Sequence, residues 1–306
     1  MFRSSDKAEF LRGVPLRSSS DINNDQPGLW KQPPWLWPNL LSLDAPLIAI
    51  LWLHLFAASE HIEIASSVTL VLGLTVWIIY VADRIFDGLR VDGRSDQAAR
   101  HRFHRTHRNV FLLVLIAALA LIVWECLQLD ACTLQFGTLL SLIVAVYFSA
   151  VHVAGSRLRF PKEAVVALVF AIGTFFPMWI HVQRSTAAMA ISLLLFILIC
   201  WLNVVIIEYA EWAALERGRA KTPHGSTIAA GAHLPSIGIV TALSVAAISL
   251  IFPLRVEQPV MLAVLLSAIA LAMLGSYWQR LSLNAVRVLA DAALLSPALI
   301  FLFAHR

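Results

Sequence analysis

Charge is scarce in this chain. Only 14% of its 306 residues are Asp, Glu, Lys or Arg, and 59% are hydrophobic. A water-soluble domain carries about 25% charged residues. The mean hydropathy of +0.77 excludes a soluble globular protein and marks a polytopic membrane protein. Cysteine is scarce as well. Cys126, Cys132 and Cys200 fall in or beside apolar stretches, with neither metal-ligand spacing nor a disulfide framework, so they read as small buried hydrophobes. No stretch alternates as a strand does. Backbone polar groups must be satisfied internally in lipid, so short of a closed barrel the fold class is all-α. The start of the chain lacks the apolar core of a signal peptide. Residues 1–37 are expected to form a flexible cytosolic tail, and residues 38–306 a transmembrane helical domain. Trp30, Trp35 and Trp37, set among prolines, suit the headgroup layer.

What is present is long apolar runs. Hydropathy places about nine transmembrane helices, roughly at 40–58, 64–87, 109–125, 131–151, 162–182, 187–211, 234–253, 259–279 and 284–304. Basic residues gather on one side. The tail has Arg3, Lys7, Arg12, Arg17 and Lys31. The loop after the second span has Arg90, Arg94, Arg100, Arg102, Arg105 and Arg108. Arg157, Arg159 and Lys162 follow the fourth span, and Arg217, Arg219 and Lys221 the sixth. The other side has only Arg184, Arg255 and Arg306. The positive-inside rule therefore expects a cytosolic N-terminus in a multi-pass integral protein, with a bacterial cytoplasmic membrane as the expected location. The net charge of +4 belongs to a face that meets lipid headgroups, so no nucleic-acid partner is implied.

Two carboxylates, Asp83 and Asp87, stand at i and i+4 where the second apolar run ends. Like charges at that spacing oppose a helix. One reading pairs them with nearby arginines such as Arg84 and Arg90. The other makes them ligands of Mg²⁺, which takes one or two carboxylates and leaves positions for water and phosphate. The arginines would then hold phosphate oxygens through their planar forks. Acids for a metal and arginines for phosphate, at a membrane surface, suggest a lipid-like diphosphate. A second polar group ends the sixth run. Asn203 and Glu211 lie two turns apart on one face, and Glu208 neighbours Glu211. Carboxylates inside a span are costly and turn inward or toward a wet cavity.

Further polar residues carry more than one reading. Asp291 lies deep in the last run, four residues after Arg287, as a neutralising pair or as a cavity-lining group. Asp44, with Asn39 nearby, sits in the first run two residues before Pro46, which is expected to kink that helix. His101, His104 and His107 stand among arginines as a zinc set, as a phosphate or anionic-lipid contact, or as a plain basic loop. Phe103 is expected to anchor that segment at the interface.

The stretch Asp83-Arg84-Ile85-Phe86-Asp87 resembles the end of the first aspartate-rich motif of the UbiA-type intramembrane prenyltransferases, with Ile79 and Tyr80 standing where that motif begins with Asn-Asp. Tyr147-Phe148-Ser149 followed by Arg157, Arg159 and Lys162 is similar to the family's segment after its fourth helix. Asn203, Glu208 and Glu211, with Gly218 and Thr222 downstream, occupy the region of its second motif. The resemblance spans about residues 38–304. It implies a UbiA-like bundle that transfers a prenyl group from a prenyl diphosphate to a lipophilic acceptor within the membrane. Asp83, Asp87, Glu208 and Glu211 would be the catalytic Mg²⁺ ligands. Asn203, Tyr80, Arg84, Arg90, Arg157, Arg159, Lys162 and Asp291 would line the substrate. A terpene cyclase on the same fold is an alternative. So is a transporter that uses Asp44, Glu208 and Asp291 as an ion or proton relay.

Overall fold

The computed structural model describes residues 33–90, 103–104, 106–154, 161–183, 186–214, 223–252 and 257–304, apart from the side chains of 87–90, 148, 150–154 and 304. All regular structure among them is helical. After a 3-10 turn at Pro34–Leu36 come α1 (Trp37–Leu40), α2 (Asp44–Ser59), α3 (Ser66–Arg90), α4 (Arg108–Cys126), α5 (Ala131–Ala154) and α6 (Lys162–Trp179). Then follow α7 (Ala187–Ala214), α8 (Gly225–Ala232), α9 (Leu234–Ile251), α10 (Gln258–Tyr277), α11 (Leu283–Ala293) and α12 (Ser296–Ala304). Residues 1–32, and with them Trp30, lie outside the described part.

Six of these helices are long and apolar enough to cross a membrane, or eight if each of two bent pairs is one span. This is the build of a multi-pass integral membrane protein. The expected count of nine is not confirmed: α5 is helical over Ala131–Ala154, but most of its side chains beyond Tyr147 lie outside the described residues.

The two bent pairs shape the interior. Pro34–Leu40 meets α2 at 82°, and α11 meets α12 at 45°. Pro46 does not cause the first bend. It lies in the first turn of α2, where proline removes no helical hydrogen bond. The bend falls at Leu41–Leu43, where Ser42 adopts φ 59°, the left-handed region that costs a residue with a Cβ about 1–2 kcal/mol. A bend frees carbonyl groups, and a tryptophan takes one at each site. Trp77 Nε1 donates to Leu41 O at 3.0 Å. Trp52 Nε1 donates to Leu294 O at 2.8 Å.

The main core lies where α2, α6, α7 and α10 meet. Trp52 stacks on Phe196 with ring centroids 4.3 Å apart, and Phe56 sets its edge against Phe175 and Phe196. Burying such rings stabilises the fold through area and dispersion. The pair α9 and α10 is joined through small residues. A Cβ at Gly238 would stand 2.8 Å from Ala272 Cβ and 3.1 Å from Ala268 O, a close approach of the kind small residues permit in membrane helices. Helices α4 and α5 are the opposite case. Only Phe111 and Ala118 of α4 are buried, and α5 meets α6 through Phe136 against Phe176.

A smaller cluster sits under α1. Phe103 is buried there with Leu36, Leu40, Val81, Ile85 and Phe111, and Trp37 meets its ring edge-on at 5.8 Å. Phe103 is therefore a core residue and not an interfacial anchor. Trp35 is exposed, as a headgroup residue would be, whereas Trp37 is drawn into this cluster.

Candidate functional site

Two polar layers occupy the bundle. The inner layer forms at the bends. Asn39 Nδ2 donates to Asp44 Oδ2 at 2.6 Å and reaches Asp291 Oδ2 at 3.4 Å. Asn203 Nδ2 reaches Asp291 Oδ1 at 3.4 Å. One amide thus joins two carboxylates from opposite ends of the sequence. Asp44 Oδ1 also accepts from Ala45 N at 3.0 Å. Beside them Arg84 is buried, and its Nη1 donates to Asn39 O and Ser42 Oγ, each at 2.5 Å. Tyr80 lies within electrostatic reach of Asp291, Asp44 and Arg84 and packs against Ala45, Ala49 and Val76. The bends explain why this layer forms. They bring Asn39 and Asp44 to one point and leave Asp291 three residues before the second break.

The outer layer lies at the end of α7. Lys162 Nζ donates to Glu208 Oε1, and Arg287 Nε donates to Glu211 Oε1 at 2.8 Å. Arg287 also holds Asn284 Oδ1 at 3.0 Å. Tyr147 OH reaches Lys162 O at 3.4 Å, and Tyr147 lies within electrostatic reach of Lys162, Glu163 and Asp83. Lys162 likewise senses Glu208, Glu163 and Glu211. Five helices, α3, α5, α6, α7 and α11, therefore contribute to one belt of alternating acids and bases. The side chain of Lys162 is 45% exposed and that of Arg287 only 6%. The lysine can turn toward a ligand, whereas the arginine is fixed.

The arrangement sorts the residues expected from the sequence. Asp83, Lys162, Glu208 and Glu211 come together in the outer layer. Tyr80, Arg84, Asn203 and Asp291 come together in the inner one. Arg84 is a buried structural donor and not part of a basic surface. The side chains of Asp87 and Arg90, and all of Arg157, Arg159, His101, Gly218 and Thr222, lie outside the described residues. Glu208 and Glu211 each hold a cation from another helix, which does not suit a Mg²⁺ shared with Asp83. Among the described residues no group of three or more His, Cys, Asp or Glu side chains is placed to hold a metal. Arg287 reaches Glu211 and Asp291 reaches Asn39 and Asn203, all on other helices, so the two are more than a pair along one helix. Of the histidines, His104 is buried, stacks on Phe111 at 4.1 Å and faces Ser42 Oγ at 3.4 Å. His107 Nδ1 meets Phe103 O at 3.0 Å.

Sequence reasoning missed Glu163. It is fully buried, and neither carboxylate oxygen has a hydrogen-bond partner among the described residues. Its position beside Lys162, in the first turn of α6, gave no periodic or motif signal.

Compared with protein-family models, with curated proteins and with solved structures, the chain gives no match.

Proposed function

We propose that this protein is a membrane-embedded transferase that moves a prenyl group from a prenyl diphosphate to a lipophilic acceptor, in the manner of the UbiA-type enzymes. The observation that carries this reading is the outer belt, in which Asp83, Tyr147, Lys162, Glu208, Glu211 and Arg287 gather from five helices at one end of an apolar bundle. A polar rim over an apolar interior suits a substrate with a charged head and a hydrocarbon chain. In the reaction the allylic C–O bond breaks and diphosphate leaves with the electron pair. The acceptor then bonds to the allylic carbon and gives up a proton. Lys162 is the half-exposed cation able to turn from Glu208 to the leaving diphosphate, where a charge-assisted contact is strong. Arg287 holds Glu211 in place. Mg²⁺ remains the expected cofactor, with Asp83 and Asp87 as its proposed ligands. Glu208 and Glu211 are engaged with Lys162 and Arg287 and are not proposed as ligands.

The experiment is incubation of purified protein with prenyl diphosphates and Mg²⁺, followed by diphosphate release and mass spectrometry of the lipids. Release is expected, and Asp83→Asn or Lys162→Ala should slow it at least about 100-fold, the usual loss when an electrostatic group of a reaction centre is removed. No release with any chain length sinks the reading. Cyclised hydrocarbon products in place of a prenylated acceptor would assign the cyclase alternative.

The inner layer favours a second reading. Broken helices flanking paired carboxylates are where transporters hold ions, and Asp44 and Asp291 meet through Asn39 at the bends of 82° and 45°. On this reading, proteoliposomes carry a proton or monovalent-cation flux that Asp291→Asn abolishes. Vesicles that stay as tight as protein-free controls exclude it.

A further inference from the structure

We infer that Glu163 takes the proton that the acceptor gives up, and that the acceptor carries an acidic hydroxyl, as a lipophilic phenol does. This role rests on the transferase reading above, in which Lys162 attends the leaving diphosphate and no group yet receives the proton.

Glu163 lies in the first turn of α6, whose N-cap Pro161 makes no side-chain hydrogen bond. That is the positive end of the helix, which favours a carboxylate. The residue is fully buried, and both its oxygens lack a hydrogen-bond partner among the described residues. Adjacent helical residues point about 100° apart, so Lys162 and Glu163 diverge. Lys162 reaches across to Glu208 on α7. Glu163 shares the buried face of α6 with Ala167, Ala171, Thr174, Phe175 and Met178. Seven residues or about 10 Å along that face, Phe170 packs against Ala45, Ala49 and Val76, the residues that also hold Tyr80. The carboxylate therefore stands between the charged rim and the apolar interior, one residue from the cation at the leaving group.

A buried polar group without a partner is costly, so these oxygens call for a hydrogen-bond donor that the described protein does not supply. An apolar interior admits a neutral hydroxyl at far lower cost than an ammonium. When the allylic C–O bond breaks, its electron pair leaves on diphosphate. The hydroxyl oxygen bonds to the allylic carbon, its O–H bond breaks, and the proton passes to a Glu163 oxygen. Diphosphate, a stronger base than a carboxylate, carries that proton away as it departs.

The test compares wild type, Glu163→Gln and Glu163→Asp as full chains in detergent, with prenyl diphosphate and two acceptors. One is para-octylphenol. The other is its ortho-nitro derivative, which is already ionised in mild alkali. Glu163→Gln should cut transfer to para-octylphenol at least about 100-fold, the usual share of a positioned base. Diphosphate release without acceptor should stay at the wild-type rate, which also shows that the variant is folded. Transfer to the nitro derivative should survive, because no proton need be taken, and Glu163→Asp should recover part of the loss. Undiminished transfer in Glu163→Gln overturns the inference. So does transfer to neither phenol by the wild type. So does a loss of release and transfer together with no rescue by the nitro derivative, because Glu163 would then be a structural partner. A wild type that releases no diphosphate fails earlier, on the transferase reading itself, and takes this role with it.

Discussion

Arg84→Met is expected to destabilise the protein by about 3 kcal/mol, and Arg84→Lys to recover part of that loss. The guanidinium is buried and donates to Asn39 O and Ser42 Oγ. Hydrogen bonds from a charged donor contribute about 1.5–3 kcal/mol each, and leaving their buried acceptors unmet adds a desolvation cost. Methionine fills much of the volume but satisfies neither acceptor. It also removes a positive charge from the neighbourhood of Asp44 and Asp291, the groups that Tyr80 senses together with Arg84. Lysine keeps the charge but not the planar fork, so it serves one acceptor well and not both. Thermal unfolding in one detergent measures all three proteins. An unchanged midpoint for Arg84→Met would show that the bend at Ser42 holds without its buried donor.

Gly238→Leu should break a backbone-close contact between α9 and α10 and cost about 3 kcal/mol or more. The first added carbon already meets Ala272 Cβ at 2.8 Å, with Ala268 O and Ala272 Cα each at 3.1 Å. Two of those three atoms belong to the backbone of α10, so no rotamer change relieves the clash and the helices must separate. Overpacking of this kind usually costs about 1–3 kcal/mol where side chains can adjust. Gly137→Leu is the control. Nothing lies within 4 Å of a Cβ built at Gly137, so the same change on α5 should leave the unfolding midpoint where it is. Equal losses at both sites would mean that glycine matters here for helix flexibility and not for close approach.

Much of the fold is legible from apolar run lengths, and much of the site is not. The runs expected at 64–87 and 187–211 appear as Ser66–Arg90 and Ala187–Ala214, because in lipid the apolar length itself sets the helix. The first run is expected as one helix kinked at Pro46, but it breaks at Leu41–Leu43, three to five residues before that proline. The break depends on a serine in left-handed backbone, which neither Gly nor Pro announces. Polar residues in apolar runs stand out individually, so Asn203, Asp44 and Asp291 are visible as candidates. Their partnerships are not visible. Lys162 finds Glu208 across 46 positions and Arg287 finds Glu211 across 76, and spacing along one helix carries no trace of either. Asp83 and Asp87 look like the centre of the site because they are local. The belt that surrounds Asp83 is built almost entirely from distant residues.

The sparsely buried helices α4 and α5 tie this protein to the thickness of its membrane. At about 1.5 Å per residue, the 19 residues of α4 span about 28 Å, close to a hydrocarbon core of about 30 Å. The 24 residues of α5 extend to about 36 Å and must tilt or emerge to fit. Few of the described side chains of α5 are buried, so the bilayer has a share in setting its tilt. Because α5 carries Tyr147 into the outer belt, a thinner or thicker membrane changes how the belt is closed without altering any residue in it.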